Sequence, residues 1–215
     1  MDIAHNLKTL REALDEHIML IGVSKTRTVA EIREAAKAGL CDFGENYVQE
    51  ALPKIEALQD LSITWHFIGP IQSNKAKRIA AHFSWVHSVC SSRIAQQLNE
   101  NRAANLPALN VCIQINIDRE PTKSGVLPEE IDSLVTTILG LPRLHLCGLM
   151  IIPKPHHNHQ DNPFLKTALL LKELNHKHHL HLKTLSMGMS DDFEEAIKAG
   201  STCVRIGTKL FGVRQ

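Results

Sequence analysis

Tyrosine is nearly missing from this chain of 215 residues, which has only Tyr47, and aromatic residues together make up 4%. That scarcity limits the bases available to any chemistry that needs two of them. Long apolar runs are missing too. No stretch has the about 20 apolar residues that a bilayer-spanning helix requires, and Met1-Asp2-Ile3 leads directly into an amphipathic pattern, not a signal peptide. Excess charge of either sign is absent. Lys plus Arg is 24 and Asp plus Glu is 23, a formal charge of +1, which gives no general attraction to nucleic acid or to an anionic membrane. Paired cysteines are lacking as well. Cys41, Cys90, Cys112, Cys147 and Cys203 contain no CxxC and are odd in number. Neither a zinc site nor a disulfide framework is expected, and the thiols read as reduced, mostly buried small hydrophobes of a cytoplasmic protein. Finally, no linker, low-complexity stretch or fixed-period repeat interrupts the chain, which predicts a single domain over residues 1–215.

What is present is an alternation. Short apolar runs that read as strands occur at 18–23, 41–43, 63–68, 85–89, 109–116, 144–151, 183–187 and 202–206. Between them lie segments with apolar residues every three or four positions, the helical period. A further helix precedes the first strand, over about 2–16, with Ile3, Leu7, Leu10 and Leu14 on one face. Thr28 with Glu31 three residues on reads as a capping box. Ser73 is expected to cap the helix after the third strand, and the helix after the second is expected to begin near Glu45. Strands that alternate with helices pair in parallel through right-handed crossovers. Eight such units predict an α/β fold, a (β/α)8 TIM barrel with an extra N-terminal helix. A doubly wound open sheet is the rival if one strand is miscounted.

A barrel of this kind carries its functional groups on the loops after the strands, with phosphate often held after strands 7 and 8. Lys25 stands just past the first strand, where a partly desolvated amine gives up its proton more readily and can form a Schiff base. After the seventh strand comes Ser186-Met187-Gly188-Met189-Ser190-Asp191-Asp192. Gly188 permits close backbone approach, and Ser190 is expected at the start of a helix over 190–199 whose N–H groups suit a phosphate. After the eighth strand, Arg205 is a charge between Val204 and Ile206, and a buried arginine needs an anion or a set of acceptors. Gly207 and Thr208 then add N–H and hydroxyl donors. Each feature also has a plainer reading: a snorkelling surface lysine, an ordinary N-cap served by Asp191 and Asp192, an ion pair inside the barrel. Taken together, a lysine, a phosphate cup and an arginine at its floor suit pyridoxal 5'-phosphate (PLP), with aldehyde, phosphate and pyridine nitrogen respectively. An arginine beside that nitrogen disfavours its protonation and makes the ring a weaker electron sink.

Six stretches are more specific: "VSKTRT" at 23–28, "FGENYVQEALPKI" at 43–55, "WHFIGPIQSNK" at 65–75, "QINIDREPTKSG" at 114–125, "GLMIIP" at 148–153 and "SMGMSDDFEEAIKAGSTCVRIGTKLFG" at 186–212. In these motifs, taken in order over nearly its whole length, the chain resembles the pyridoxal-phosphate homeostasis proteins, relatives of the barrel domain of alanine racemase. The resemblance implies a PLP carried as a Schiff base on Lys25. It implies that Ser186, Gly188, Ser190, Arg205, Gly207 and Thr208 surround phosphate and ring. Asn46, His66 and Met150, at the ends of strands two, three and six, are expected to line the mouth, and Lys123 is a candidate second, transient contact. Two departures stand out. "EALDEHIMLIGV" connects the first helix tightly to the first strand, where the family usually has a longer segment. Histidines also crowd at 156–181, where His156, His157 and His159, or His176 and His179, have metal-binding spacing but read as a polar loop and helix end. No metal site is expected.

The resemblance further implies buffering or delivery of PLP inside the cell, with apo PLP-dependent enzymes as recipients and a monomeric protein. The alternative is a racemase-like PLP enzyme. Racemisation needs a base on each face of the ring. Lys25 supplies one, while in alanine racemase the other is a tyrosine on a second domain of a partner chain. This chain has no such domain, which favours a non-catalytic binder. A third possibility, a phosphate-sugar enzyme on the same barrel, would use the cup but leave Lys25 and Arg205 unexplained.

Overall fold

Capping signals and apolar periodicity divide the chain into short strands and the helices that cover them. The computed structural model describes residues 2–154 and 162–213. The strands are β1 (Met19–Val23), β2 (Asp42–Glu45), β3 (Thr64–Phe67), β4 (Trp85–Val89), β5 (Leu109–Gln114), β6 (Leu144–Met150), β7 (Thr184–Ser186) and β8 (Cys203–Ile206). All pair in parallel in sequence order, and the sheet closes when β8 returns to β1 through Met19↔Cys203 to Gly22↔Ile206. The chain is the expected (β/α)8 barrel, and closure eliminates the open sheet.

Helices α1 (Ile3–Glu12), α2 (Val29–Lys37), α3 (Val48–Ala57), α4 (Ala76–His82), α5 (Ser92–Asn101), α6 (Ile131–Leu139), α7 (Pro163–His178), α8 (Phe193–Lys198) and α9 (Thr208–Phe211) complete the described elements. The Thr28 capping box forms as expected, its hydroxyl accepting from Glu31 N–H and the Glu31 carboxylate accepting from Thr28 N–H. Ser91 caps α5 by a single bond, its Oγ accepting from Ile94 N–H. Strand residues that face the helices, among them Phe43, Phe67, Val86, Val111 and Val204, join the helices' apolar faces in one continuous buried layer.

Three local expectations fail. The second strand runs on to Glu45, so α3 begins at Val48 and not near Glu45. Ser73 opens a single 3-10 turn and makes no capping bond. The helix expected from residue 190 begins at Phe193, because the Asp192 carboxylate accepts the Met189 N–H at 2.6 Å and folds 190–192 into a turn.

Candidate functional site

The loops after β1, β7 and β8 meet in a pocket of about 210 Å³ bounded by Val23, Lys25, Ser190, Arg205, Gly207 and Thr208. Lys25 is half-buried in a turn, and the residues on either side of it are pinned. Ser24 donates its N–H to Gly44 O at 2.9 Å and its carbonyl accepts from Arg27 N–H at 3.0 Å. From α3 the Lys54 ammonium reaches under the loop, donating to Ser24 O at 2.8 Å and to Glu45 Oε1 at 2.7 Å, while Ser24 Oγ donates to the same carboxylate oxygen at 2.6 Å. Glu45 is fully buried, and burial raises its pKa even though Lys54 and Ser24 oppose the shift. On the other side, Thr26 takes a left-handed φ of +66° and donates its N–H to Glu50 Oε2. Such a backbone persists in a β-branched residue only where its surroundings hold it. Arg27 stacks on Phe211 and bonds Glu31 and the Gly212 carbonyl.

Arg205 is buried, and its guanidinium donates to Ser186 O at 2.6 Å, Ser186 Oγ at 2.8 Å and Ile151 O at 2.8 Å. Among the described residues these acceptors are all neutral, so the ion pair considered from sequence is not formed. A buried cation with no carboxylate in hydrogen-bond contact is costly, and burial lowers its pKa against the weaker pull of nearby groups, Asp192 among them. Gly207 sits at φ −110°, and a Cβ there would meet Val23 only at ordinary contact, 3.5 Å. Nothing in the chain itself demands glycine at 207; the space beside it belongs to the cup. Ser190 accepts from Lys209 N–H at 3.5 Å, so it ties the loop after β7 to α9 and does not cap α8.

Gly188 has φ +97°, and a Cβ there would lie 2.8 Å from Ala196 Cβ. Its close approach is therefore to α8, and its carbonyl accepts Arg205 N–H. Asn46 follows β2 at the mouth, where its Oδ1 is buried with no hydrogen-bond partner among the described residues. Met150 ends β6, wholly buried beside Ser186 in register. His66 does not line the mouth. It points into the barrel, wholly buried, with Nε2 2.9 Å from Asp42 Oδ1 and Nδ1 2.9 Å from His87 Nε2. Burial lowers its pKa against the opposing pull of Asp42. Lys123 bonds Ile152 O and Glu120. His156, His157 and His159 lie outside the described residues, and among those described no three His, Cys, Asp or Glu side chains are grouped so that they could hold a metal ion.

Lys54, Glu45, Asp42 and His87 were not identified from sequence. Lys54 did leave a signal, since it continues the three-residue spacing of Val48 and Ala51 on the buried face of α3. His87 gave less, because an alternating strand does not tell its inner face from its outer one.

The alanine racemase N-terminal domain model matches residues 1–215. A pyridoxal phosphate homeostasis protein of Pseudomonas aeruginosa is 55% identical over 197 residues, covering 91% of this chain and 84% of the relative. The protein of that name from Escherichia coli K12 is 48% identical over 228 residues, covering 99% and 97%. Among solved structures, PipY of Synechococcus elongatus with PLP bound superposes with a TM-score of 0.90 at 37% identity, covering 98% of this chain and all of PipY. The chain belongs to the alanine racemase N-terminal domain family, among its pyridoxal phosphate homeostasis proteins.

Proposed function

We propose that this protein binds PLP at the barrel mouth, carries it covalently on Lys25, and serves PLP homeostasis in the cytoplasm by buffering or delivering the cofactor, without robust catalysis. The observation that supports this most directly is that Lys25 and the buried Arg205, with its neutral acceptors only, border one pocket. Attachment is a condensation in which the Lys25 nitrogen bonds the aldehyde carbon and one water leaves. When bound, PLP supplies an aldehyde for capture and a ring able to accept electrons.

The residues divide the remaining work. The Ser190 hydroxyl and the backbone at Gly207 and Thr208 offer neutral donors to a phosphate, and Arg205 offers its charge to the ring edge. The unpartnered Asn46 Oδ1 at the rim supplies an acceptor. Arg205 keeps a proton off the pyridine nitrogen by like-charge repulsion, which weakens the ring as an electron sink. Among the described residues, neither Tyr47 nor His66 is placed to serve as a second base. Tyr47 is 54% exposed, and His66 is held between Asp42 and His87. The named relatives are homeostasis proteins, consistent with delivery to apo PLP-dependent enzymes.

The test is borohydride reduction of the PLP-loaded protein followed by peptide mass analysis. A pyridoxyl-phosphate mass on the Lys25 peptide is expected, and Lys25→Ala should lose both the label and the visible absorption band while remaining folded. A label on Lys75 or Lys123 alone would refute the assignment.

A further inference from the structure

Below the mouth, a file of hydrogen-bonded side chains crosses the inside of the barrel. Arg205 Nη1 lies 2.8 Å from Ser186 Oγ, Ser186 Oγ 2.8 Å from His87 Nδ1, His87 Nε2 2.9 Å from His66 Nδ1, and His66 Nε2 2.9 Å from Asp42 Oδ1. Ser186, His87 and His66 are wholly buried. Asp42 begins β2 with its side chain 28% exposed and borders an open cavity of about 560 Å³ at the foot of the barrel, beside Arg11, His17 and Cys41. His87 enters the file where the pairing of β4 with β5 shifts register between Val86 and Val89, an irregularity of the kind that re-aims a side chain. Trp85 stacks on His66 at 5.6 Å, close to parallel, and holds its ring.

The ends of the file fix its direction. A guanidinium only donates, and an ionised carboxylate only accepts. Ser186 Oγ thus accepts from Arg205 and turns its own proton towards His87 Nδ1. His87 carries its hydrogen on Nε2 and donates to His66 Nδ1. His66 likewise carries its hydrogen on Nε2 and donates to Asp42. With both imidazoles neutral, this one arrangement satisfies every bond. Burial lowers the pKa of both histidines, most strongly that of His87, where His66 and Arg205 add to the effect. A buried file of this kind is worth its desolvation only when every member is satisfied.

From this geometry we infer that Asp42, His66 and His87 are positioning residues that act through Ser186 to hold the Arg205 guanidinium, and its charge, in place at the cofactor ring. The inference rests on the PLP reading of the mouth. It makes the foot of the barrel part of the determinant of how the ring is held.

Two measurements test it. In PLP-free protein labelled with 15N-histidine, long-range 1H–15N spectra should show His66 and His87 as neutral tautomers with hydrogen on Nε2. Hydrogen on Nδ1, or a cationic His87 at neutral pH, would overturn the proposed direction. PLP titrations followed by absorbance then test the coupling. His87→Leu should weaken PLP binding about tenfold, the equivalent of one neutral hydrogen bond at the upper end of its usual range, and move the visible band. Asp42→Leu should change the His66 nitrogen shifts and move the band less, and Asp42→Asn, which keeps an acceptor oxygen, should restore both. If His87→Leu fails to fold, the Asp42 pair at the open end still decides. Wild-type binding with affinity and band unaltered in the folded variants would overturn the positioning role alone. No PLP band in the wild type would overturn the PLP reading and the coupling with it.

Discussion

Replacing Lys54 with methionine keeps a stem of similar length on α3 and removes the ammonium that bridges Glu45 and Ser24 O at 2.7 and 2.8 Å. Glu45 would then be a fully buried carboxylate held only by Ser24 Oγ, with Oε2 already lacking a partner. Breaking a buried pair from one side costs about 3–5 kcal/mol. Against a total stability of about 5–15 kcal/mol, the loss is large. It also carries a pH signature. Burial already raises the Glu45 pKa, and removing Lys54 raises it further. A raised carboxyl favours the fold in its protonated form. Its contribution is complete below the unfolded pKa of about 4.3 and is lost as pH rises through the folded value. The Lys54→Met penalty should therefore be larger at pH 7.5 than at pH 5. Urea denaturation of wild type, Lys54→Met and the double variant Glu45→Met/Lys54→Met at both pH values measures it. The double variant should recover most of the loss, because no unpaired charge remains. A penalty independent of pH, or a double variant as unstable as the single one, would refute the reasoning. The single variant should also capture less PLP, since Ser24 O loses the bond that anchors the residue before Lys25.

Arg205→Glu should shift the absorption band of bound PLP and weaken binding in a spectral titration, and an unchanged band and affinity would mean that Arg205 does not face the ring. Gly188→Ala forces a Cβ to within 2.8 Å of Ala196 Cβ and 3.0 Å of Phe193 Cα at a left-handed φ, which should destabilise by about 1–3 kcal/mol in thermal unfolding; an unshifted midpoint would show that α8 can move aside. Incubation of PLP-loaded protein with a panel of amino acids in heavy water should give no sustained α-proton exchange by NMR. Sustained exchange that disappears in both Lys25→Ala and His66→Ala would make the protein an enzyme.

The order of strands and helices was legible because period-two and period-3.6 patterns alternate cleanly, and because Thr28 and Glu31 mark a helix start in four residues. Strand ends were less so. The "DFGE" of β2 has no alternation that reveals Glu45 as buried, and its charge suggested a helix start instead. Lys25 and Arg205 stood out because a charge at the end of, or inside, an apolar run has few structural uses. His66 was misplaced for a related reason. A strand alternates between helix-facing and barrel-facing positions, and sequence alone does not say how deep a barrel-facing residue lies. The partners of His66 and Arg205 are 21 and 19 residues away or more, a separation that no local pattern encodes.

Closure of the sheet by β1 and β8 has a consequence for biosynthesis. Lys25 is translated about 180 residues before Arg205, Gly207 and Thr208. Asn6 of α1 donates to Leu210 O, and Arg27 bonds the Gly212 carbonyl, so both ends of the described chain are stitched together directly behind the pocket. A nascent chain that has not yet made β8 has an amine but no cup, and its β1 edge is unpaired. Capture of PLP by Lys25 and this cup, as proposed, therefore has to await β8. Because a ligand that binds only the closed form adds to its stability, a cofactor held there would act as a late lock on the ring, favouring closed barrels over open ones.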